Sequence, residues 1–219
     1  MSHCYIPEIH EYQIAYGPKA GLQLWTLENL YYYLLSFKNP NGRIDTFVDQ
    51  NGDVFNFDFW RGRVIKNGKA LMSKYNINFS KENLRCYAPV DFGYGSVIIP
   101  QYTLLKMCYN IYEFAAYTKS HPNEMIEVNH MNGCSFDNEI QNLEWTTESL
   151  NAFHRSISRL IYTYRNDLTC VRRTIDGTYR VALKSSLSVN ILEDFLRKYG
   201  HLYKKLKGKD KLVYFLNNI

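Results

Sequence analysis

No two cysteines in this sequence stand in a C-x-x-C pair. The five that occur (Cys4, Cys86, Cys108, Cys134 and Cys170) are odd in number and widely scattered. That argues against a zinc knuckle or a disulfide framework and for free thiols in a reducing compartment. No apolar run approaches the roughly 20 residues that a membrane span requires. The opening Met1-Ser2-His3-Cys4-Tyr5 has no basic stretch followed by an apolar one, so a secretory leader is not expected. No membrane partner and a cytoplasmic, intracellular location are the corresponding expectations. Internal repeats and low-complexity runs are also missing, which removes repeat architectures. Lysine and arginine are absent from residues 121–154, where six Asp and Glu leave a net charge of −6.

What is present describes a folded chain. Its 219 residues suit one domain or two small ones. Hydrophobic residues at 46% and charged residues at 21% place it among globular proteins. The 19 tyrosines read as packing, since rings alone do not name a ligand. Residues 155–219 carry 14 Lys and Arg against five acids, a net +9. A basic C-terminal third beside an acidic segment suits a nucleic-acid binder with a cation site, although a solvated basic face would have the same charge.

Local patterns predict an α+β fold. Thr26 can cap a helix through Leu30, Leu34 and Phe37, stopped by Asn39-Pro40-Asn41-Gly42. Strands Ile44–Val48 and Val54–Phe59 flank Asn51-Gly52, a hairpin turn with both central residues at positive φ. Phe55, Phe57 and Phe59 alternate with Asn56 and Asp58, giving one apolar strand face. Another turn and strand follow over Arg61–Lys69, and residues 70–95 show no clear pattern. Ser96–Ile99 is a strand ended by Pro100. Leu104, Leu105, Cys108, Ile111, Tyr112 and Ala115 predict one helix from Thr103 to Tyr117. Near the C-terminus, Thr169–Ile175 and Thr178–Lys184 flank Asp176-Gly177, and a two-residue turn would set Arg173 across from Arg180. Opposed arginines favour an anion lying over them, unless the two side chains splay apart. A helix from Ser188 to Tyr199 buries Val189, Leu192, Phe195 and Leu196 and stops at Gly200. His201–Lys211 then holds Lys204, Lys205, Lys207, Lys209 and Lys211, a phosphate-binding set or a solvated tail.

The informative stretch lies between. Met125–His130 is a short strand that delivers Asn129 and His130 at its end, and Asn132-Gly133 turns the chain. Leu143–Thr146 is a second strand. Thr146 or Thr147 can cap a helix carrying Glu148, Asn151, His154 and Ile157. Asn151 and His154 are three apart and share a helical face. A hairpin packed on that helix would bring His130 and Asn151 together. Taken singly, these residues have plainer readings: a structural His130, an Asn142 serving its own loop, a core Trp145, a surface His154, Glu144 and Glu148 either solvated or facing a metal, and turn residues Asp137 and Asn138.

Together the residues say more. Asn129-His130-Met131-Asn132-Gly133, Asp137-Asn138, Asn142-Leu143-Glu144-Trp145-Thr146 and Asn151 closely resemble the HNH nucleases of phages and mobile introns, over residues 126–159. Thr46 to Val54 is similar to the hairpin that often precedes the nuclease core in that subgroup. The resemblance implies an N-terminal helix and hairpin region over 1–120, a ββα-metal core over 121–160, and a basic DNA-binding hairpin-plus-helix region over 161–219. It implies a metal-dependent DNA endonuclease of homing or nicking type, phage-encoded and acting in a host cell, with DNA as partner and no small-molecule cofactor. His130 would be the general base and Asn142 would orient its ring. Asn129 and Asn151 would supply oxygens to one Mg2+ or Mn2+, with His154 as an added ligand or phosphate contact. Arg155, Arg159, Arg172, Arg173, Arg180, Lys184, Lys204 and Lys205 would contact DNA. Where many members carry Asp, this chain has Asn129, so both amide ligands are neutral and metal affinity without DNA is expected to be weak. A weakened HNH protein kept for DNA binding, a phage structural or accessory protein, and an RNA nuclease remain alternatives.

Overall fold

Thr26 opens the described chain: its Oγ1 accepts the Asn29 N–H at 3.2 Å, an N-cap that starts α1 (Leu27–Leu34). The computed structural model describes residues 26–71, 87–92, 96–135, 137–165, 168–173, 179–183 and 187–219, with the main chain alone for 96, 162, 165, 168–173 and 179–183. Helix and strand are mixed, as an α+β fold requires. Two units form. The first ends at Pro122 and also holds Asn138–Gln141; the second comprises Asn123–Asp137 and Asn142–Ile219. No helix among the described residues is long and apolar enough to cross a membrane. Cys108 and Cys134 are buried free thiols.

In the first unit, β1 (Thr46–Val48), β2 (Val54–Asp58), β3 (Arg63–Lys66) and β4 (Lys69–Ala70) make an antiparallel meander in chain order. A second ribbon pairs β5 (Tyr87–Asp91) with β6 (Ser96–Pro100), and α2 (Gln101–Tyr109) and α3 (Ile111–Ser120) follow. The core is aromatic. Phe47 stacks on Phe55 at 4.7 Å, Tyr33 meets Phe92 edge-on at 4.4 Å, and Phe59 meets Tyr109 at 5.4 Å. Burial of each such ring contributes about 2–3 kcal/mol before entropy is charged against it.

Two expectations change here. The β1–β2 hairpin exists, but Val48 pairs with Val54, so its loop is Asp49–Asp53 and only Gly52 has positive φ (+80°). The buried Asp49 carboxylate accounts for this. Its Oδ1 accepts the Asn51 and Asp53 N–H groups at 3.0 and 2.9 Å, and its Oδ2 accepts from Asp91 at 3.0 Å. The predicted single helix from Thr103 to Tyr117 is two helices. Asn110 is extended (φ −157°), and its side chain accepts the Tyr112 N–H at 3.1 Å, restarting the helix as an N-cap.

In the second unit, β7 (Ile126–His130) pairs with β8 (Leu143–Thr147), and α4 (Glu148–Arg165) follows without a break. Next come β9 (Leu168–Arg173), β10 (Tyr179–Leu183), α5 (Val189–Tyr203) and α6 (Gly208–Leu216). Ile157, Leu187, Leu192, Phe195, Tyr203 and Phe215 form the core. Arg180 stands opposite Arg172, and Arg173 opposite Tyr179, one position away from the predicted pairing; the ladder also slips between Arg180 and Val181. The expected turn at Asp176-Gly177 lies outside the described residues. Gly200 does not stop α5; it is buried within it, and the helix runs to Tyr203. The lysine-rich segment ends in a helix that was not predicted, α6, held by buried Leu212 and Phe215.

Gly62 shows how tightly the 138–141 segment is seated in the first unit. The Ile140 N–H donates to the Phe59 carbonyl at 2.9 Å, and Gly62 has φ +60°. A Cβ on Gly62 would lie 2.3 Å from the Asn138 carbonyl carbon. Gly62→Ala is therefore expected to destabilise the protein by at least about 2 kcal/mol, through positive φ and overlap with main chain that has no side-chain freedom to yield. A lowered urea midpoint would show it, and an unchanged midpoint would count against this seating.

Candidate functional site

Side chains alternate along β7 and β8, and the register sorts them. Asn129 lies opposite Glu144 and shares a face with Glu127 and Thr146; His130 lies opposite Leu143 and shares the other face with Val128 and Trp145. Thr147 caps α4, its Oγ1 accepting from the Leu150 N–H at 3.3 Å, and α4 packs against both strands.

The loop after His130 is closed by amides. The Met131 N–H donates to the Asn142 carbonyl at 2.9 Å, and the Asn132 N–H to Asn142 Oδ1 at 3.0 Å. Asn142 Nδ2 donates to Asn132 Oδ1 at 3.0 Å and to the Asp137 carbonyl at 2.7 Å. Both amide N–H groups of Asn142 thus serve the loop, and its hold on His130 runs through the main chain of the next two residues. Asp137 accepts from Asn132 Nδ2 at 2.8 Å, and both Asp137 and Asn138 are buried, more than simple turn residues would be. His130 itself is only 8% exposed.

Asn129 and Asn151 are each held by a carboxylate. Asn129 Nδ2 donates to Glu144 Oε1 at 2.8 Å, and Asn151 Nδ2 donates to Glu127 Oε2. With the nitrogen ends taken, the oxygen ends of both amides remain as donors for a cation. Two amide oxygens backed by carboxylates suit a hard cation such as Mg2+ or Mn2+. No group of three or more His, Cys, Asp and Glu side chains gathers as a metal site among the described residues. Glu144 departs from the solvated reading: its Oε1 also accepts the Val189 N–H at 3.0 Å, and its Oε2 accepts from Ser188 Oγ at 2.7 Å. Glu148 is exposed, as expected. Sequence reasoning assigned Glu127 no role and left Glu144 solvated or facing a metal; alternation along β7 sets Glu127 on the Asn129 face, and the strand register adds Glu144.

His154 is neither a surface residue nor placed like the asparagines. It is 1% exposed, with Nε2 at 3.2 Å from the Met131 carbonyl and Nδ1 facing Ser158 Oγ at 3.5 Å. The ring is committed within the fold, where it braces the turn after His130. Burial holds its pKa below the usual 6.5, against the opposing pull of hydrogen bonds to the Met131 and Leu187 main chain. Arg155 and Arg159 are exposed on α4, and Lys204 and Lys205 on the turn after α5. Arg172, Arg173 and Arg180 fall on the β9–β10 ladder, and Lys184 lies outside the described residues.

The chain matches no family model, no curated protein and no solved structure.

The lowered pKa of His154 sets a pH dependence. The unfolded chain binds more protons at this site than the folded one, so its contribution to stability is full above the unfolded value of about 6.5 and is lost as pH falls below it. The urea midpoint should fall between about pH 7 and pH 5, and His154→Gln should flatten that fall. An equally steep fall in the variant would show that His154 is not its source.

Proposed function

We propose that this chain is a metal-dependent DNA endonuclease of the HNH type. The observation that carries the reading is the direct run of the β7–β8 hairpin into α4. It brings Asn129-His130 at the end of the first strand and Asn151 in the first turn of the helix, in the order of the HNH resemblance. On this reading the three elements are the ββα-metal core.

His130 takes a proton from the attacking water on a ring nitrogen. An imidazole suits this step because a neutral ring nitrogen can accept a proton and pass it on. Asn142 keeps the imidazole in place by tying down the main chain of Met131 and Asn132. Asn129 and Asn151 hold the cation through Oδ1. When bound, Mg2+ or Mn2+ would offset charge developing at the scissile phosphate and the 3′ leaving oxygen. The exposed Arg155, Arg159, Lys204 and Lys205 bind the phosphate backbone, adding affinity without sequence information. One observation favours a second reading, a DNA-binding protein that does not cut: His130, at 8% exposure, offers little of its ring to solvent.

Supercoiled-plasmid cleavage by the full chain separates the two. The nuclease reading expects nicking or linearisation with Mg2+ or Mn2+, none with EDTA, and a loss of at least about 100-fold in His130→Ala with duplex binding retained. Binding without cutting, on plasmid and on genomic DNA holding candidate sites, would favour the second reading. Preference for single-stranded RNA over duplex DNA would overturn both.

A further inference from the structure

Two carboxylates to which the HNH resemblance gives no role grip the two candidate ligands. Glu144 accepts the Asn129 amide N–H at 2.8 Å, and Glu127 accepts that of Asn151. Asn129 is 3% exposed, and no hydrogen bond to its Oδ1 or to that of Asn151 is found among the described residues. Each carboxylate therefore settles which end of its amide faces away.

We infer that Glu127 and Glu144 are positioning residues for the divalent cation: they orient Oδ1 of Asn151 and Asn129 and supply the negative charge that two neutral amides lack. This rests on the nuclease reading above. Register explains why the charge is placed there. Residue 129 stands directly opposite Glu144 in the ladder, so an aspartate at 129 would oppose carboxylate to carboxylate. An asparagine can donate to Glu144 while offering an oxygen on its other side. Glu144 is itself fixed by Ser188 Oγ and the Val189 N–H at the start of α5, so it acts through Asn129 and does not swing in as a ligand. The acidic charge sits one hydrogen bond behind the ligand oxygens.

The test uses E127Q and E144Q, which keep an acceptor oxygen for the asparagine N–H, remove the charge and replace the second carboxylate oxygen with an amide group. Mn2+ binding to the full chain is followed by electron paramagnetic resonance, and the Mn2+ concentration for half-maximal plasmid nicking is measured beside it. Both constants should weaken about 10–100-fold, the usual loss on removing an outer partner of a metal ligand; the urea midpoint should stay near wild type in E127Q and fall in E144Q, whose carboxylate also holds Ser188 and Val189. Asn129→Asp alone should lower the urea midpoint. Combining it with Glu144→Gln should relieve the repulsion between the two carboxylates and recover Mn2+ affinity, with the midpoint only partly restored, because Glu144 Oε1 also accepts the Val189 N–H, which an amide nitrogen cannot do. If wild type binds Mn2+ and nicks DNA while E127Q and E144Q match it in both constants, the inference is wrong and the nuclease reading stands. If wild type neither binds Mn2+ nor nicks DNA, the nuclease reading fails and the inference falls with it.

Discussion

Glu144 has three donors to satisfy at once: the Asn129 amide at 2.8 Å, the Val189 N–H at 3.0 Å and the Ser188 hydroxyl at 2.7 Å. One belongs to the hairpin and two to the entry of α5, so a single carboxylate joins the strand pair to the helix that carries core residues Leu192 and Phe195. Hydrogen bonds to a charged group contribute about 1.5–3 kcal/mol each, and a carboxylate at a helix N-terminus gains further from the dipole. The same junction is tied a second time. The Met131 carbonyl accepts both the Leu187 N–H at 2.8 Å and a contact from His154 Nε2 at 3.2 Å. Hairpin, α4 and α5 are thereby fixed to one another around the residue that follows His130.

Under the nuclease reading, this rigidity is what a base of limited exposure needs. A histidine that is 8% exposed cannot search for its water; it must already be in place, and orientation fixed in advance lowers the barrier without a cost at the moment of reaction. The Asn132, Asp137 and Asn142 network supplies this. It satisfies buried amide and carboxylate groups with one another, so the loop needs little help from solvent.

The parts legible in the sequence were those whose signals are local. Thr26 as a cap, the β7 and β8 strands and the helix after Thr147 all follow from capping chemistry and hydrophobic period. The failures share a cause: a polar side chain reached further than the pattern that was read. Asp49 gathered three N–H groups and turned an expected Asn51-Gly52 turn into a five-residue loop, Asp49–Asp53. Asn110 capped a new helix in the middle of an apolar period that continued past it. The lysines of 204–211 drew attention to charge and away from Leu212 and Phe215, three apart and both buried in α6. In the candidate site, alternation could place Glu127 on the Asn129 face and the strand register adds Glu144, but only tertiary structure could pair them with Asn151 and with the start of α5. Solvated is the default for a glutamate, and here it was the wrong default for Glu144.

The charge pattern then has a physical reading within the second unit. Residues 121–154 carry no lysine or arginine, so no cation of the chain's own competes for Glu127 and Glu144 from within that stretch. Under the nuclease reading, a lysine there would neutralise the carboxylates and remove the reason for a metal ion to bind. The basic side chains begin at Arg155, on the exposed side of the same helix that presents Asn151, and continue to the turn after α5. Under the nuclease reading this is the separation the chemistry demands. Phosphates are held by exposed, screened charges that release readily. The cation would be held beside the buried Asn129, where two half-buried carboxylates act at short range. Exchanging the two sets would leave DNA bound tightly with nothing to polarise its phosphate. On that reading the half-buried Glu127 and Glu144 and the exposed basic side chains form a single arrangement, with Asn129 able to answer a carboxylate with one end and a cation with the other.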